Sequence, residues 1–242
     1  MEITGLNDFI VWMYDKDGNV ITDPTAGGFP YDGDKGKVYT QTGHEEIKGL
    51  FKVDLQSSLG ATQANITGLA PSVSRVYGSN YVAEVNTGTE QPSIALAAND
   101  IPHAVYDLLT GLSKDTQNAG GYARQGKAGA VNGGVIAHSY NTHKNIDLYF
   151  AFPFGVFIPG ELKMATNTQN PTVAHDALTL NAQARSTDTL LYEKFYSDEP
   201  SFDFDQMIQF ITGATPAATS STTSSTTPAT TSSTTSSTTQ GA

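Results

Sequence analysis

The sequence predicts a mainly β protein, an antiparallel β-sandwich or barrel with one flanking α-helix. Short runs of β-branched and aromatic residues recur between residues 8 and 212, and clusters of Gly, Asn, Asp and Pro separate them. Only one segment has a clear helical repeat of apolar residues. Strands that succeed one another across short turns favour an antiparallel sheet over an α/β arrangement. We expect about ten strands and one helix.

Strand signals begin near the amino terminus. The apolar run Phe9–Tyr14, the turn residues Asp15–Asn19 and the run Val20–Thr22 together are typical of a β-hairpin. Residues 23–36 are rich in Gly and Pro, which predicts a loop of a length unusual for a compact domain. Period-two alternation then returns in four predicted strands: Ala61–Leu69, Ser72–Tyr77, Tyr81–Val85 and Ser93–Ala97.

One helix is predicted between residues 100 and 112. Asp100 is a candidate N-cap, Pro102 would lie in the first turn, and Gly111 would mark the C-terminal end. The apolar residues of this segment form one stripe: Ile101, Val105, Leu108, Leu109 and Leu112. We expect the stripe to cover one face of the sheet.

The carboxyl-terminal half contains further strand signals after a glycine-rich polar stretch at residues 113–129. The predicted strands are Val131–Tyr140, Ile146–Ile158, Thr172–Ala184, Leu190–Tyr196 and Phe202–Ile211. The aromatic run Tyr149–Phe157 suits a buried strand or a subunit contact better than a carbohydrate platform, which needs rings on one exposed face.

Charge and composition divide the chain into two parts. Every charged residue lies within residues 1–212, whereas residues 213–242 are almost wholly Ser, Thr, Pro and Ala, with repeated Ser-Ser-Thr-Thr blocks. Such a segment cannot bury enough apolar surface to offset the entropy lost on ordering. We therefore predict a β domain over residues 1–212 and a disordered, low-complexity Ser/Thr-rich tail over residues 213–242.

Net charge and cysteine content exclude several classes of protein. The 242-residue chain has a formal net charge of −11 and contains no cysteine. Nucleic-acid-binding proteins gain affinity from clustered Lys and Arg, so the acidic balance argues against one. A chain without cysteine forms no disulfide, thiolate zinc site or iron–sulfur cluster.

The amino-terminal residues predict synthesis in the cytoplasm. Met1–Asp8 contain no basic region followed by a long apolar run, so we expect no signal peptide. No segment approaches the roughly 20 apolar residues of a membrane span. The sequence therefore predicts a soluble protein without a membrane partner.

The motifs that resemble ligand-binding loops are incomplete. Gly121–Lys127 has the spacing of a phosphate-binding loop, but Ala128 stands where a Mg²⁺-binding hydroxyl is needed and no apolar strand precedes it. Asp15–Gly18 resembles the start of a calcium loop, yet Ala26 occupies the position of the bidentate Glu. We predict no cofactor, and we expect a flexible basic loop at the first motif and a turn at the second.

Candidate catalytic and metal-binding side chains also have simpler explanations. His138 and His143 flank a Ser-Tyr-Asn-Thr segment without a third ligand nearby, so we expect surface or turn residues. Asp203 and Asp205 occupy alternate positions of the predicted strand Phe202–Ile211, which indicates a solvated face and not an acid–base pair. We predict no catalytic, cofactor-binding or metal-binding residues and expect a protein that is not an enzyme.

Several stretches, in their order along the chain, resemble the major tail protein, the tail-tube subunit, of long-tailed phages of Gram-positive bacteria. The resemblance covers residues 1 to about 212. The stretches that carry it are Gly5–Asp8, Gly60–Leu69, Tyr77–Asn80, Asn99–Pro102 leading to Leu108–Gly111, and Phe152–Phe157. None of them is a catalytic signature, so the specificity of the resemblance comes from their order.

The resemblance implies a structural virion protein of the phage tail, made in the host cytoplasm. In that family six copies close into a ring, and rings stack into a hollow tube through which DNA passes without specific binding during ejection. The implied partners are further copies of the chain and the tape measure, tail terminator and distal tail proteins. The resemblance implies a loop over residues 23–59, and it implies ring stacking through this loop and through Met1–Asp8. Ring stacking is implied more weakly for residues 113–129 and the end near Phe210. A negative lumen suits this role because it repels DNA phosphates.

Two other functions stay open on the sequence alone. An extracellular β-sandwich adhesin or glycan-binding module with a Ser/Thr stalk would explain the tail, but it leaves the lack of a predicted signal peptide unexplained. A small glycosidase on a β scaffold would need paired carboxylates at a suitable separation in a cleft. The order of the stretches and the incomplete catalytic motifs favour the tail-tube interpretation.

Overall fold

The computed structural model describes residues 5–115, 117–124, 129–160 and 176–214. The strands in these ranges, in chain order, are β1 Leu6–Met13, β2 Val38–Tyr39, β3 Glu46–Ile47, β4 Leu50–Val53, β5 Ala61–Thr67, β6 Val73–Gly78, β7 Tyr81–Thr87, β8 Ser93–Ala98, β9 Ser113–Lys114, β10 Tyr122–Ala123, β11 Val131–Asn141, β12 Ile146–Pro159, β13 Asp176–Ala182 and β14 Glu193–Tyr196. The helices are α1 Leu55–Ser58, α2 His103–Leu109 and α3 Phe204–Thr212, and Pro24–Ala26 form a 3-10 turn. The predicted mainly β, antiparallel fold is confirmed.

Eight strands form one antiparallel sheet in the order β4-β1-β11-β12-β13-β8-β5, with β14 paired to β12. The long strand β12 divides the sheet, because Leu148–Ala151 pair with β14 while Gly155–Pro159 pair with β13. At the far end of the sheet, β5 comes back into contact with β1. The strands therefore curve around a common apolar interior.

The first strand is buried on both of its faces. Phe9 and Val11 point into the interior cluster, and Ile10 and Trp12 point into a second cluster on the other side. Alternate side chains of a strand project to opposite faces. The run Phe9–Met13 is apolar throughout because the curved sheet and α2 cover one face and α3 covers the other.

The helix predicted near residue 100 is confirmed as α2. Val105 and Leu109 of this helix are buried in the interior cluster, and so is Ile101, which precedes the N-cap. The helix begins at His103 with Pro102 at the N-cap and no side-chain capping bond, so the prediction of Asp100 as N-cap was wrong. Gly111 has a φ of +80°, which confirms it as the residue that ends the helix.

The segment predicted as the strand Phe202–Ile211 forms α3 instead. The Asp203 carboxylate accepts a hydrogen bond from the N–H of Gln206, and Gly213 ends the helix with a φ of +72°. The buried side chains of this helix follow helical spacing: Met207, Ile208 and Ile211. They cover the outer face of β1, and this packing prevails over the short apolar–polar alternation at its start.

The prediction of a long loop over residues 23–59 was wrong for its second half. This half contains β2, β3, β4 and α1, and β4 pairs with β1 in the main sheet. Ile47 and Phe51 are no more than 2% exposed, and so is Phe29 in the irregular first half. Gly36 has a φ of +78°, and a Cβ there would lie 2.3 Å from the Phe51 ring. The glycines of this segment thus serve close packing and turns in a folded region.

The other predicted strands are confirmed to within a few residues as β5, β6, β7, β8, β11, β12, β13 and β14. The hairpin turn at Asp15–Asn19 is also confirmed, although its arms pair only at Tyr14 and Val20. Part of the predicted strand Thr172–Ala184, up to residue 175, lies outside the described residues. The same is true of the tail beyond residue 214.

Candidate assembly surface

The strands β6 and β7 form a hairpin that pairs with no other strand in the described part of the chain. Its turn residues Ser79 and Asn80 have φ values of +49° and +66°, as in the type I′ turns that join tight hairpins. All residues of both strands are exposed. A two-stranded hairpin on its own is marginally stable in water. Contacts outside the monomer would therefore stabilise this one.

The hairpin carries six of the ten exposed large apolar side chains in the described part of the chain. They are Val73, Val76, Tyr77, Tyr81, Val82 and Val85, and Tyr81 is 79% exposed. Pairing of Arg75 with Val85 and of Val76 with Glu84 places apolar side chains on both faces. Exposed apolar surface of this kind marks a protein–protein contact.

The hairpin continues directly from the pair formed by β5 and β8. Its base is closed by a hydrogen bond of 2.7 Å from the N–H of Gly88 to the carbonyl of Ser72. Closer to the body, Gly68 has a φ of +73°, and a Cβ there would lie 2.1 Å from the carbonyl oxygen of Gln91. Because it has no side chain, Gly68 lets its backbone approach that of Gln91 closely where the hairpin leaves the domain.

A cluster of charged groups lies on the opposite part of the sheet, around His138. Its Nδ1 is 3.1 Å from Oδ2 of Asp8, and its Nε2 is 2.9 Å from Oδ1 of Asp147. The ring stacks on Tyr149 at 4.5 Å between centroids, and its side chain is 13% exposed. The prediction of a surface or turn residue was therefore wrong for His138, whereas His143 does lie in the turn between β11 and β12.

The electrostatics of this cluster favour the charged imidazolium. Burial lowers the pKa of His138, but the hydrogen bonds and negative charges of Asp8 and then Asp147 outweigh it, and the net pKa is raised. Lys52 Nζ lies 3.3 Å from the Asp8 carboxylate and adds a second cation. Since both ring nitrogens face carboxylates, the cluster is suited to holding β1, β11 and β12 together.

The two candidate carboxylates near the carboxyl end have structural roles. Asp203 caps α3, and Asp205 accepts hydrogen bonds from the N–H groups of Gln41 at 2.7 Å and Thr42 at 3.1 Å. Burial raises the pKa of Asp205, yet the hydrogen bond from the Thr42 hydroxyl and the two backbone hydrogen bonds outweigh it, and the net pKa is lowered. Both residues therefore belong to α3 and its contacts, and the predicted solvated strand face was wrong.

The remaining motifs provide no assembled ligand site in the described ranges. Asp15 accepts from the N–H groups of Asp17 and Asn19 at 2.9 Å each, which confirms the predicted turn. Part of the phosphate-loop-like motif, residues 125–128, lies outside the described residues. Within those ranges no three His, Asp or Glu side chains come together to hold a metal ion.

The aromatic run of β12 is largely buried, as predicted. Tyr149, Phe150, Phe152 and Phe157 are all at most 9% exposed. In the portion of the chain that the structure describes, no helix is both long and apolar enough to cross a lipid bilayer.

The sequence predicted the two strands of the hairpin but did not single it out as an assembly surface, and ring stacking through residues 23–59 stays a prediction. Residues 1–4 lie outside the described ranges, Leu6–Asp8 are already part of β1, and Phe210 is half exposed on α3. The sequence did contain a signal for this surface. Apolar residues lie on both faces of β6 and on both faces of β7, although neither strand is part of a long apolar run. That pattern is typical of a strand covered on two sides.

Comparison with known proteins agrees with an assembly surface. A family model described as phage tail tube protein matches residues 1–220. The match includes every described residue and therefore the whole hairpin. No curated protein matches the chain.

Proposed function

The chain belongs to the phage tail tube protein family, and we propose from this premise that six copies form a ring and that stacked rings form the tail tube. Membership in the family makes the protein a structural component of the phage tail that assembles with copies of itself. The number of copies in a ring, the stacking of rings and the passage of DNA are the proposed part. The family match favours this role over a glycan-binding adhesin.

The β6–β7 hairpin is the observation that supports self-assembly best. Burying one Val- or Tyr-sized apolar side chain contributes roughly 1.5–3 kcal/mol. Six such side chains exposed on one small hairpin can offset the loss of freedom on association, which costs about 4–15 kcal/mol. The hairpin therefore has enough apolar surface to hold a neighbouring subunit.

The edges of the main sheet support closure into a ring. Among the described strands, β5 pairs only with β8 and β14 pairs only with β12. Unpaired strand edges promote uncontrolled association unless something covers them. In a cyclic assembly each edge is covered by the next subunit, and no edge is left over.

The charge of the chain supports the role of a DNA conduit. With a net charge of −11, a hollow tube of these subunits repels phosphate groups, so DNA passes through it without specific binding. The protein acts in the virion after synthesis in the host cytoplasm and has no catalytic role. Its further partners are the tape measure, tail terminator and distal tail proteins.

Replacement of the hairpin tests this function. Residues 73–87 are exchanged for the two residues Asn-Gly, which can bridge Ser72 and Gly88 because these two residues are already hydrogen-bonded. A matched control, Ser79→Asn with Asn80→Gly, keeps the hairpin and strengthens its turn. We expect the shortened protein to keep the circular dichroism of a folded β domain and to form nothing larger than a single ring, while the control forms tubes like the wild type. Tubes of the shortened protein at wild-type concentrations would contradict the role of the hairpin.

A further inference from the structure

Two exposed apolar surfaces lie at opposite ends of the strand pair β5–β8. The pair begins where Ala61 is opposite Ala98, immediately after α1, and it ends where Thr67 is opposite Ser93, at the base of the hairpin. Seven strand residues span about 20 Å. A contact between these surfaces in two copies would therefore relate the copies by a shift along the strand direction.

The surface at the α1 end consists of Leu55, Leu59 and the cleft beside them, and is here named the α1 patch. Leu55 is 75% exposed and Leu59 is 62% exposed. The cleft has a volume of about 440 Å³ and includes Tyr31, Phe51 and Pro102 in its lining. Apolar centres of this kind with a polar rim are typical of protein interfaces.

The backbone of Leu59 gives an independent reason to assign a role to this patch. Leu59 is the C-cap of α1 with φ +52° and ψ +20°, a left-handed conformation that costs an L-residue roughly 1–2 kcal/mol. Glycine or asparagine usually occupies such a position. A leucine that is both strained and exposed indicates that its side chain has a partner outside the monomer.

Local hydrogen bonds hold Leu59 in this position. Asp54 caps α1 by accepting from the N–H groups of Gln56 and Ser57 at 2.9 Å each. Asn99, which follows β8, donates from its side-chain amide to the carbonyl of Leu59 at 2.8 Å. The backbone of Leu59 is thus held in one conformation before a partner binds, and this reduces the conformational entropy lost on binding.

We propose that the β6–β7 hairpin of one subunit binds the α1 patch of a second copy in the next ring. The inference rests on the proposed function and names the two surfaces that join successive rings. Because the surfaces differ and lie at opposite ends of the domain, the contact is head-to-tail and repeats without limit along one direction. Within one ring, neighbouring subunits contact each other through the edges of the main sheet.

Charge supports the choice of the α1 patch. The hairpin carries one cation, Arg75, and one carboxylate, Glu84, on opposite faces. The rim of the cleft also has both signs, because Lys35 forms an ion pair of 2.9 Å with Asp32 and Asp100 also lines the cleft. A rim carboxylate can therefore pair with Arg75 of the hairpin, whereas Glu84 would compete with Asp32 for Lys35.

The other exposed apolar side chains in the described residues are less suitable partners. Phe210 already lies under the guanidinium of Arg185, 5.3 Å from its ring centroid. Ile158 is a single residue near the end of β12 and is 43% exposed. The α1 patch combines two large exposed side chains with an adjoining cleft.

Engineered cysteines test the contact directly, because the natural chain contains none. Tyr81→Cys protein is mixed with Leu59→Cys protein at assembly concentration and oxidised. A disulfide needs Cα atoms within about 7 Å, so a cross-linked dimer forms only where the hairpin tip meets the patch. The control mixture pairs Tyr81→Cys with Phe210→Cys, which is also exposed. We expect the first mixture to give dimer at least about tenfold above the control, the ratio that corresponds to 1.4 kcal/mol of preference.

The outcomes separate this inference from the proposed function. Tubes in electron micrographs with cross-linking no higher than in the control would overturn the contact and leave the tube intact. Strong cross-linking without tubes would support the contact and contradict the tube.

A second variant, Leu59→Gly, relieves the left-handed strain while removing the side chain. We expect its monomer to be at least as stable as the wild type while the concentration needed for assembly rises roughly tenfold. An unchanged assembly concentration would overturn the role of Leu59.

Discussion

The imidazole of His138 lies between two carboxylates, with Nε2 2.9 Å from Asp147 and Nδ1 3.1 Å from Asp8. A neutral imidazole has one N–H donor, whereas the imidazolium has two. Only the protonated ring can therefore donate to both carboxylates. This bridge connects a residue near the start of β1 with one in β11 and one near the start of β12.

The stability contributed by this bridge is predicted to fall with rising pH. The pKa of His138 is raised above its ordinary value of 6.5 in the folded state. Its contribution is therefore fully present below about pH 6.5 and is lost as the pH rises through the raised folded pKa. The charged groups that face the ring or its carboxylate partners are Asp8, Asp147 and Lys52. Urea denaturation of the wild type and of His138→Gln between about pH 5.5 and 9 checks this. A difference in free energy of unfolding that does not change with pH would contradict it.

Substitution of Gly134 is predicted to disrupt the centre of the sheet. A Cβ at this position would lie 2.2 Å from the fully buried ring of Trp12 and 2.6 Å from the carbonyl oxygen of Phe152. Overpacking of this kind costs about 1–3 kcal/mol or more, so Gly134→Ala should lower the free energy of unfolding by at least that range. Gly129→Ala is the matched control, because nothing lies within 4 Å of its Cβ position. Equal stability of the two variants would contradict the packing described here.

Removal of the Asp205 carboxylate is predicted to release the turn at Gln41–Thr42. The carboxylate accepts two backbone N–H bonds from that turn and one bond from the Thr42 hydroxyl. We expect Asp205→Ala to lose about 1 kcal/mol of stability and Asp205→Asn to lose less. Because the folded pKa is lowered, the loss should be largest above about pH 4 and should become smaller as the pH falls through the folded pKa. Thermal unfolding at pH 7 and pH 3 distinguishes this from a loss that is independent of pH.

Polar substitution of the hairpin tip is predicted to prevent assembly without affecting the fold. Tyr77 and Tyr81 are 65% and 79% exposed, and neither belongs to the two buried clusters. The double variant Tyr77→Ser with Tyr81→Ser should therefore change the free energy of unfolding by no more than about 0.5 kcal/mol. Sedimentation should show nothing larger than a single ring at concentrations where the wild type forms tubes. Normal assembly of this variant would show that the tip is not part of the contact.

The sequence predicted the strands of the domain better than its helices. Strands such as β8 and β11 were predicted because their apolar residues alternate or form continuous runs bounded by turn residues. Helix α3 was missed because Phe202 to Asp205 alternate as in a strand, although Asp203 and Gly213 are good helix caps. The buried cluster beside β1 stabilises the helix, and its residues come from distant parts of the chain. The alternation of apolar and polar residues over four positions could not reveal that cluster.

The assembly surface was only partly predictable. The strands of the hairpin were predicted, but whether they join the main sheet depends on pairing that the sequence does not show. His138 was assigned to the surface because its partners Asp8 and Asp147 lie 130 and 9 residues away along the chain. Conversely, the resemblance implied a loop over residues 23–59, whereas the side chains of Ile47 and Phe51 are buried in the core.

Negative-stain electron microscopy of the purified wild-type protein at high concentration tests the central claim most directly. The proposed function predicts hollow tubes of uniform diameter whose end-on views show six-membered rings around an open centre. Solid filaments without an axial channel, or rings with another number of subunits, would contradict the proposed hexameric conduit. Monomers at every concentration, in preparations where circular dichroism shows the folded domain, would contradict self-assembly through the hairpin.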